Sequence, residues 1–273
     1  MDAVIIGNPN SGRAGSRSYL ERHAKLLQSG GLAVEVLNTE RPDHATELAS
    51  LAGDRLVIAA GGDGTVNEVI NGLSPDATLG IIPLGTANVL ARELNLPLDP
   101  QSACERILAG RVTRIDLGVA TESGGAQRRF ACMAGVGFDA QVVHAVTPRL
   151  KRHLRGLAFA VMAFIVFFRE ELPVVEICHG EQRHRVRFAI IANAHHYGGA
   201  HRVTEPGLVT SGELEAVLVE RVRTLLRPDV FATIMARRPL DRRMPHFRAE
   251  KFHARSTGGE VPVQLDGEVW GRL

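Results

Sequence analysis

The chain has 273 residues, enough for one large domain or two modest ones with a substantial core. Hydrophobic residues make up 45% and charged residues 23%, ordinary values for a soluble globular protein. A net charge of +2 argues against a dedicated nucleic-acid binder, but the balance is uneven: 12 basic against 16 acidic residues in 1–141, and 20 against 14 in 142–273.

The first 120 residues alternate between short apolar runs and helical patterns. Ala3–Gly7 reads as a strand. Ser16–Ser29 reads as a helix, with Leu20, Ala24 and Leu27 on one side and Gly30-Gly31 as its stop. Leu32–Leu37 is a strand, His44–Ala52 a helix, Arg55–Ala60 a strand, Thr65–Leu73 a helix and Ala77–Pro83 a strand. Helices over Ala87–Leu94 and Pro100–Ala109 complete the run. This rhythm predicts a parallel sheet covered by helices on both faces, a three-layer α/β domain over residues 1–120.

After Arg111 the rhythm changes. Strands are predicted over Arg114–Ala120, Arg129–Ala134, Val174–His179, Arg183–Asn193, Glu213–Glu220, Arg248–Ala254 and Val261–Leu265, with helices near 150–168 and 227–237. That order predicts a second, β-rich sandwich domain over 121–273, its last strand returning toward the first domain. "GLAFAVMAFIVFF" (Gly156–Phe168) carries no charge but would span only roughly 20 Å as a helix, short of a ~30 Å hydrocarbon core. It reads either as a buried core helix or as a surface for apolar substrate or a membrane interface. Lys151, Arg152, Arg155 and Arg169 flank it.

Cys104, Cys132 and Cys178 show neither metal-ligand spacing nor a disulfide framework, which points to a reduced, cytoplasmic location. "MDAVIIGNPN" suits a first strand better than a secretory segment. His195, His196 and His201 cluster around Tyr197-Gly198-Gly199 without a zinc signature, and suit a loop lining an acceptor cleft. "RRPLDRRMPHFR" (Arg237–Arg248) reads as a solvated basic face or as a contact for anionic lipid headgroups.

Three loops share one design: "NPNSG" (Asn8–Gly12), "GGDGTVNE" (Gly61–Glu68) and "PLGTANVLA" (Pro83–Ala91). Each follows an apolar strand and precedes a helix. Loops at the carboxyl ends of parallel strands line the ligand crevice. Glycines there let backbone N–H groups approach an anion, and helix N-termini add favourable partial charge. Ser11, Thr65 and Thr86 add hydroxyls, so the set suits a polyphosphate. It is no P-loop, because none of Lys25, Lys151 and Lys251 follows a glycine-rich turn. Asp63 then has two readings: a Mg²⁺ ligand between carboxylate and phosphates, or a cap on the following helix. In "VQLDGEVW" Asp266 and Glu268 are two apart. On a strand they would point the same way; the rival reading is an Asp-Gly hairpin turn.

These three motifs, followed in order by "GVGFDA" (Gly135–Ala140), "ANAHHYGGAHRVTEPGLVTSGELEAVLV" (Ala192–Val219) and "LDGE" (Leu265–Glu268), resemble the diacylglycerol kinase catalytic-domain family. That family includes bacterial lipid kinases and sphingosine kinases, and GGDGT is shared with NAD kinases. The resemblance implies an ATP- and Mg²⁺-dependent kinase acting on a lipid hydroxyl, of diacylglycerol or sphingoid-base type. The basic second half and the apolar 156–168 segment fit a soluble enzyme that visits an anionic membrane surface. The resemblance also implies ATP contacts from Gly61, Gly62, Asp63, Gly64, Thr65, Val66 and Asn67, from Thr86 with its neighbours Gly85 and Asn88, and from Thr39. Asn8 and Ser11 would line the same phosphate site. From the residues alone, Asn67 and Glu68 either orient the phosphate loop or serve only the first turn of the helix. Asp63 and Asp116 would serve Mg²⁺, through water. Asp266 or Glu268 would be the base. Two departures stand out: Val89 where many bacterial members have an acid, and Ser211-Gly212 where Asp-Gly is common. An NAD kinase-like phosphotransferase and a non-catalytic lipid- or nucleotide-binding regulator remain rival readings. Monomer and homodimer both stay open.

Overall fold

A computed structural model describes residues 2–8, 17–145 and 173–273. Ser11 and the apolar run 156–168 with its basic flanks lie outside the described residues. The chain forms two compact units. The first comprises 1–114 and 121–129, the second 115–120 and 130–273. The sequence places the boundary near 115–130, and between 114 and 130 the chain crosses between units three times.

In the first unit, β1 (Asp2–Gly7), β2 (Ala33–Asn38), β3 (Leu56–Gly61) and β4 (Leu79–Pro83) form a parallel sheet in the order β2-β1-β3-β4. Ala3–Ile6 and Val57–Ala60 are buried on both faces, as a sheet covered by helices on each side demands. On one face Ala3, Ile5, Ile58, Ala60 and Ile82 pack with Leu20, Ala24 and Leu27 of α1 (Arg17–Ser29) and Cys104 of α5 (Pro100–Leu108). Each fully buried Ile or Leu contributes roughly 1.5–3 kcal/mol. Burial also pushes the Cys104 thiol up to about 11, so it stays protonated and unreactive near neutrality.

The alternate residues Val4, Ile6, Val57 and Ala59 are equally buried. Along β1 and β3 lie α2 (His44–Ser50) and α3 (Asp63–Gly72), packed against each other. The chain fills β1 and β2 first and then crosses back past β1 to β3. The crevice of such a sheet therefore opens at the carboxyl ends of β1 and β3, where the glycine loops begin.

In the second unit β14-β13-β10-β7-β16-β17 form an antiparallel six-stranded sheet. These are His246–Ala249, Leu214–Val219, Phe188–Ala192, Met133–Gly137, Pro262–Leu265 and Glu268–Arg272; the short strands Gly118–Thr121 (β5), Gln127–Phe130 (β6), His196–Tyr197 (β11) and His201–Arg202 (β12) stand outside this sheet. A three-stranded sheet joins His253–Ser256 (β15), Val175–His179 (β8) and Gln182–Val186 (β9). Val175, Ile177 and Val186 share one core with Val136, Ile191, Leu218 and Leu265, so the sheets form a sandwich. Two long predicted strands are each broken in two. Arg183–Asn193 is β9 and β10, and Arg248–Ala254 is the end of β14 and the start of β15, on different sheets in both cases. A helix over Phe138–Ala145 (α6) and the last strand β17 were not predicted. The helix predicted at 227–237 is Pro228–Met235 (α7).

At the α2–α3 contact, a Cβ on Gly72 would strike the carbonyl oxygen of Thr46, a backbone atom with no rotamer to yield. Gly72→Ala is expected to destabilise the first unit by about 1–3 kcal/mol, read from urea denaturation, although alanine is the better helix former.

Candidate active site

Within the first unit Asn8, Thr39, Gly61 and Leu84 sit at the carboxyl ends of the four strands. Asn8 N–H donates to the Ala60 carbonyl (3.4 Å), Thr39 N–H to that of Gly7 (2.9 Å) and Leu84 N–H to that of Gly61 (2.8 Å). The second and third glycine loops interlock. A Cβ on Gly85 would lie 2.5 Å from Gly62 Cα and 2.8 Å from Asn88 Oδ1, so only glycine permits this approach.

Asp63 ties them together. One carboxylate oxygen accepts the N–H of Asn88 (2.9 Å), the other that of Val89 (2.5 Å). Asp63 is the first residue of α3, yet it does not cap that helix as the structural reading of the sequence had it; it caps α4 (Val89–Glu93). Asn88 adopts φ +48° and closes a reciprocal pair with Gly85, accepting its N–H (3.0 Å) and donating to its carbonyl (2.9 Å). Two helix N-termini and their amides are thus held at one end of the sheet, an arrangement suited to phosphate oxygens. Thr65 is buried, Thr86 exposed, and Gly62 and Gly64 partly accessible, while the Val66 side chain belongs to the core.

Two loop residues point their chemistry elsewhere. The Glu68 carboxylate accepts the Ala45 N–H (3.2 Å) and its carbonyl the Thr46 hydroxyl (2.9 Å), fixing the start of α2. Asn67 is buried and serves the returning segment 121–129: Oδ1 accepts from Arg128 (3.0 Å) and Nδ2 donates to the Arg129 carbonyl (3.3 Å). Asn71 accepts the Arg129 N–H (2.8 Å), and the Arg129 guanidinium reaches the carbonyls of Ile70 (3.2 Å) and Leu73 (2.6 Å) at the end of α3.

Asp116 falls with the second unit. Its backbone N–H donates to Val209 (2.8 Å), its carbonyl accepts from Asn193 Nδ2 (2.9 Å), and its carboxylate accepts the Gly212 N–H (2.8 Å). Ser211-Gly212 therefore receives an acid from 116 rather than supplying one.

Asp266 and Glu268 do not share a strand face. Asp266 (φ +50°) and Gly267 (φ +85°) are the two central residues of a type I′ turn, with Leu265 and Glu268 paired across it. The hairpin reading is the correct one. The Asp266 carboxylate is gripped by three amides, those of Ala131 (2.7 Å), Cys132 (2.8 Å) and Met133 (2.9 Å). Glu268, at the start of β17, is exposed. Of the two acids it is the one whose carboxylate is accessible to a substrate.

The sequence reading missed the support beneath this turn. Gln264 is buried; its Oε1 accepts the Gly267 N–H (2.6 Å) and its Nε2 donates to Asp139 (2.6 Å). The other oxygen of Asp139 accepts the Tyr197 hydroxyl. Gly135 makes room for the pair, since a Cβ there would strike the Asp139 carboxylate and lie 2.5 Å from Gln264 Nε2. A lone amide inside the apolar run "VPVQL" is the signal that marks Gln264. His196 and Tyr197 pair with Arg202 and His201 in a small hairpin of the same unit.

Residues 2–120 match the diacylglycerol kinase catalytic domain. The chain is 26% identical to a diacylglycerol kinase of Staphylococcus saprophyticus over 279 residues, covering 99% of this chain and 90% of that protein. It is 28% identical to that of Bacillus subtilis over 283 residues, covering 99% and 91%. A crystal structure of a diacylglycerol kinase from Bacillus anthracis is similar in fold, with a TM-score of 0.76 at 23% identity, covering 99% and 91%. An NAD kinase from Archaeoglobus fulgidus in complex with ATP shares the fold more loosely, with a TM-score of 0.52 at 14% identity, covering 98% and 84%. The recognition drawn from the motifs therefore holds, as does the order of a parallel-sheet unit before a strand-rich one. No helix among the described residues is long and apolar enough to cross a membrane.

Two outcomes test the second unit. Asp266→Ala removes the acceptor for three amides and leaves a Cβ residue in the left-handed region, so it should cost roughly 2–4 kcal/mol in denaturant titrations. Asp266→Asn, which tolerates that backbone, should cost less. Burial holds the Asp139 carboxyl above its usual range, whereas the unfolded chain releases that proton near pH ~4. Between those two values the folded state binds the extra proton, so stability falls as pH rises. The wild type should lose melting temperature relative to Asp139→Asn from about pH 4 toward neutrality.

Proposed function

We propose that the chain is a lipid kinase that transfers the γ-phosphate of ATP to a hydroxyl of a diacylglycerol- or sphingoid-type lipid. The observation that carries this reading is that the kinase-domain match at 2–120 contains both interlocked glycine loops. The amides of Gly64 and Thr65 and those of Thr86 and Ala87 would bind phosphate oxygens, with Thr65 and Thr86 adding hydroxyl donors, while the Gly85 and Asn88 amides hold the loop itself together.

The residues fit Mg²⁺ held through water better than by direct ligation. Both Asp63 oxygens already accept an amide, so the carboxylate would meet the ion through a coordinated water. When bound, the ion would neutralise phosphate charge, and Asp63 would orient its water shell. Val89 has no carboxylate to share that task, but its N–H is one of the two that fix Asp63.

Glu268 is the base. It would take the proton of the acceptor hydroxyl as that oxygen bonds to the γ-phosphorus and ADP departs. The turn and Gln264 fix where β17 begins, and so position Glu268.

The test is purified protein with labelled ATP, Mg²⁺ and a panel of lipids, with NAD as a further acceptor. Wild type should phosphorylate a lipid. Glu268→Gln should lower kcat by roughly 10²–10⁴ with the fold retained. Asp63→Asn should lower both activity and stability, because one amide loses its partner. ATP binding without product from any lipid would overturn the proposal in favour of a regulator, and phosphorylation of NAD alone would transfer it to that acceptor.

A further inference from the structure

In the second unit, a 3-10 turn over Val222–Leu226 leads into α7 and leaves Leu226, Phe231 and Met235 facing outward, 59%, 53% and 64% exposed. Phe231 and Met235 are four apart and share one helix face, while Val230 and Thr233 point inward and are buried. Large side chains so exposed in one short helical segment mark a surface that meets something apolar.

The charge around them is one-sided. Residues 220–243 hold seven arginines and three acids, and one of those acids, Asp241, is buried. Arg227 pairs with Asp229 and Arg242 with Glu205. Arg221, Arg223, Arg237, Arg238 and Arg243 are exposed and form no ion pair among the described residues. Arg237 closes the helix at φ +53°, a position that favours glycine, so an arginine there accepts backbone strain.

We infer that this face docks the protein on an anionic bilayer, with Leu226, Phe231 and Met235 entering the headgroup–acyl boundary and the five unpaired arginines contacting lipid phosphates. A second copy of the chain fits poorly, because a self-complementary contact would set these arginines against their own like charges. The zwitterionic surface of a neutral bilayer gives the arginines no net attraction. This inference rests on the proposed lipid acceptor for its purpose, but its test does not.

The full-length protein is sedimented with vesicles of phosphatidylcholine alone or with about one-third phosphatidylglycerol, at low and physiological salt. Wild type should bind the anionic vesicles and weaken as salt rises. Phe231→Glu combined with Met235→Glu, both at exposed positions, should reduce that binding roughly tenfold or more, as should Arg221→Gln with Arg223→Gln and Arg237→Gln. Thermal melts establish that the variants fold. Turnover of a monomeric short-chain diacylglycerol should be unchanged in the Phe231/Met235 variant, whereas turnover on anionic vesicles should fall. Failure of the kinase reading would abolish turnover but leave vesicle binding intact. Equal vesicle binding by wild type and variants would overturn the docking face. So would a wild-type dimer that the Phe231/Met235 variant dissociates, which would assign the face to self-association.

Discussion

Two backbone amides converge on the carboxylate of Asp63, and the crevice of the first unit depends on that grip. The acid lies at the start of α3; the amides belong to the start of α4. A charge-assisted hydrogen bond is about twice as strong as a neutral one, so a pair of them can hold two helix N-termini together despite the mutual repulsion of their dipole ends. The glycines follow from this constraint. With the loops drawn so close, Gly85 has no room for a Cβ, and Asn88 must take a left-handed conformation to return its side chain to Gly85. A carboxylate among glycines is thus first an architectural element.

The second unit uses the same device on a tighter scale. Asp266 collects three successive amides from the segment before β7, and a two-residue turn then delivers Glu268. In "LDGE" the two acids have separate duties: one is committed to the backbone, and the other emerges at the start of a strand. Beneath the turn, Gln264 connects it to a buried Asp139–Tyr197 pair. A fully satisfied polar network of this kind restricts the turn to one geometry, because any displacement would strand a buried donor or acceptor.

Local features were the legible ones. Strand–glycine–helix spacing revealed the four parallel strands and the helices packed on them, with the loops after Gly61 and Pro83, since apolar periodicity and glycine placement are short-range signals. The partners of those loops were not legible. Asp266 binds residues more than 130 positions away, and Asp63 binds amides 25 and 26 positions on, relations that no local pattern encodes. The same limit hid the break between β9 and β10. Val186 and Phe188 read as one apolar run, but the N–H of Arg187 between them donates to Val219 and the chain changes sheets there. Asn67 and Glu68 show the same limit: a place in the glycine loop says nothing of their side-chain partners, which lie at Arg128 and Arg129 and at the start of α2.

The segment 121–129 has a consequence for the order in which the molecule is made. Arg128 and Arg129 satisfy Asn67, Asn71 and the last carbonyls of α3, and they do so after the chain has already contributed residues 115–120 to the second unit. On the ribosome, the α/β unit therefore emerges with all its strands and helices but without its clasp, until residue 129 has cleared the exit tunnel. A nascent chain stalled just past 114 would carry α3 with its inward-facing amides exposed to water, and would be the form most open to chaperones and proteases.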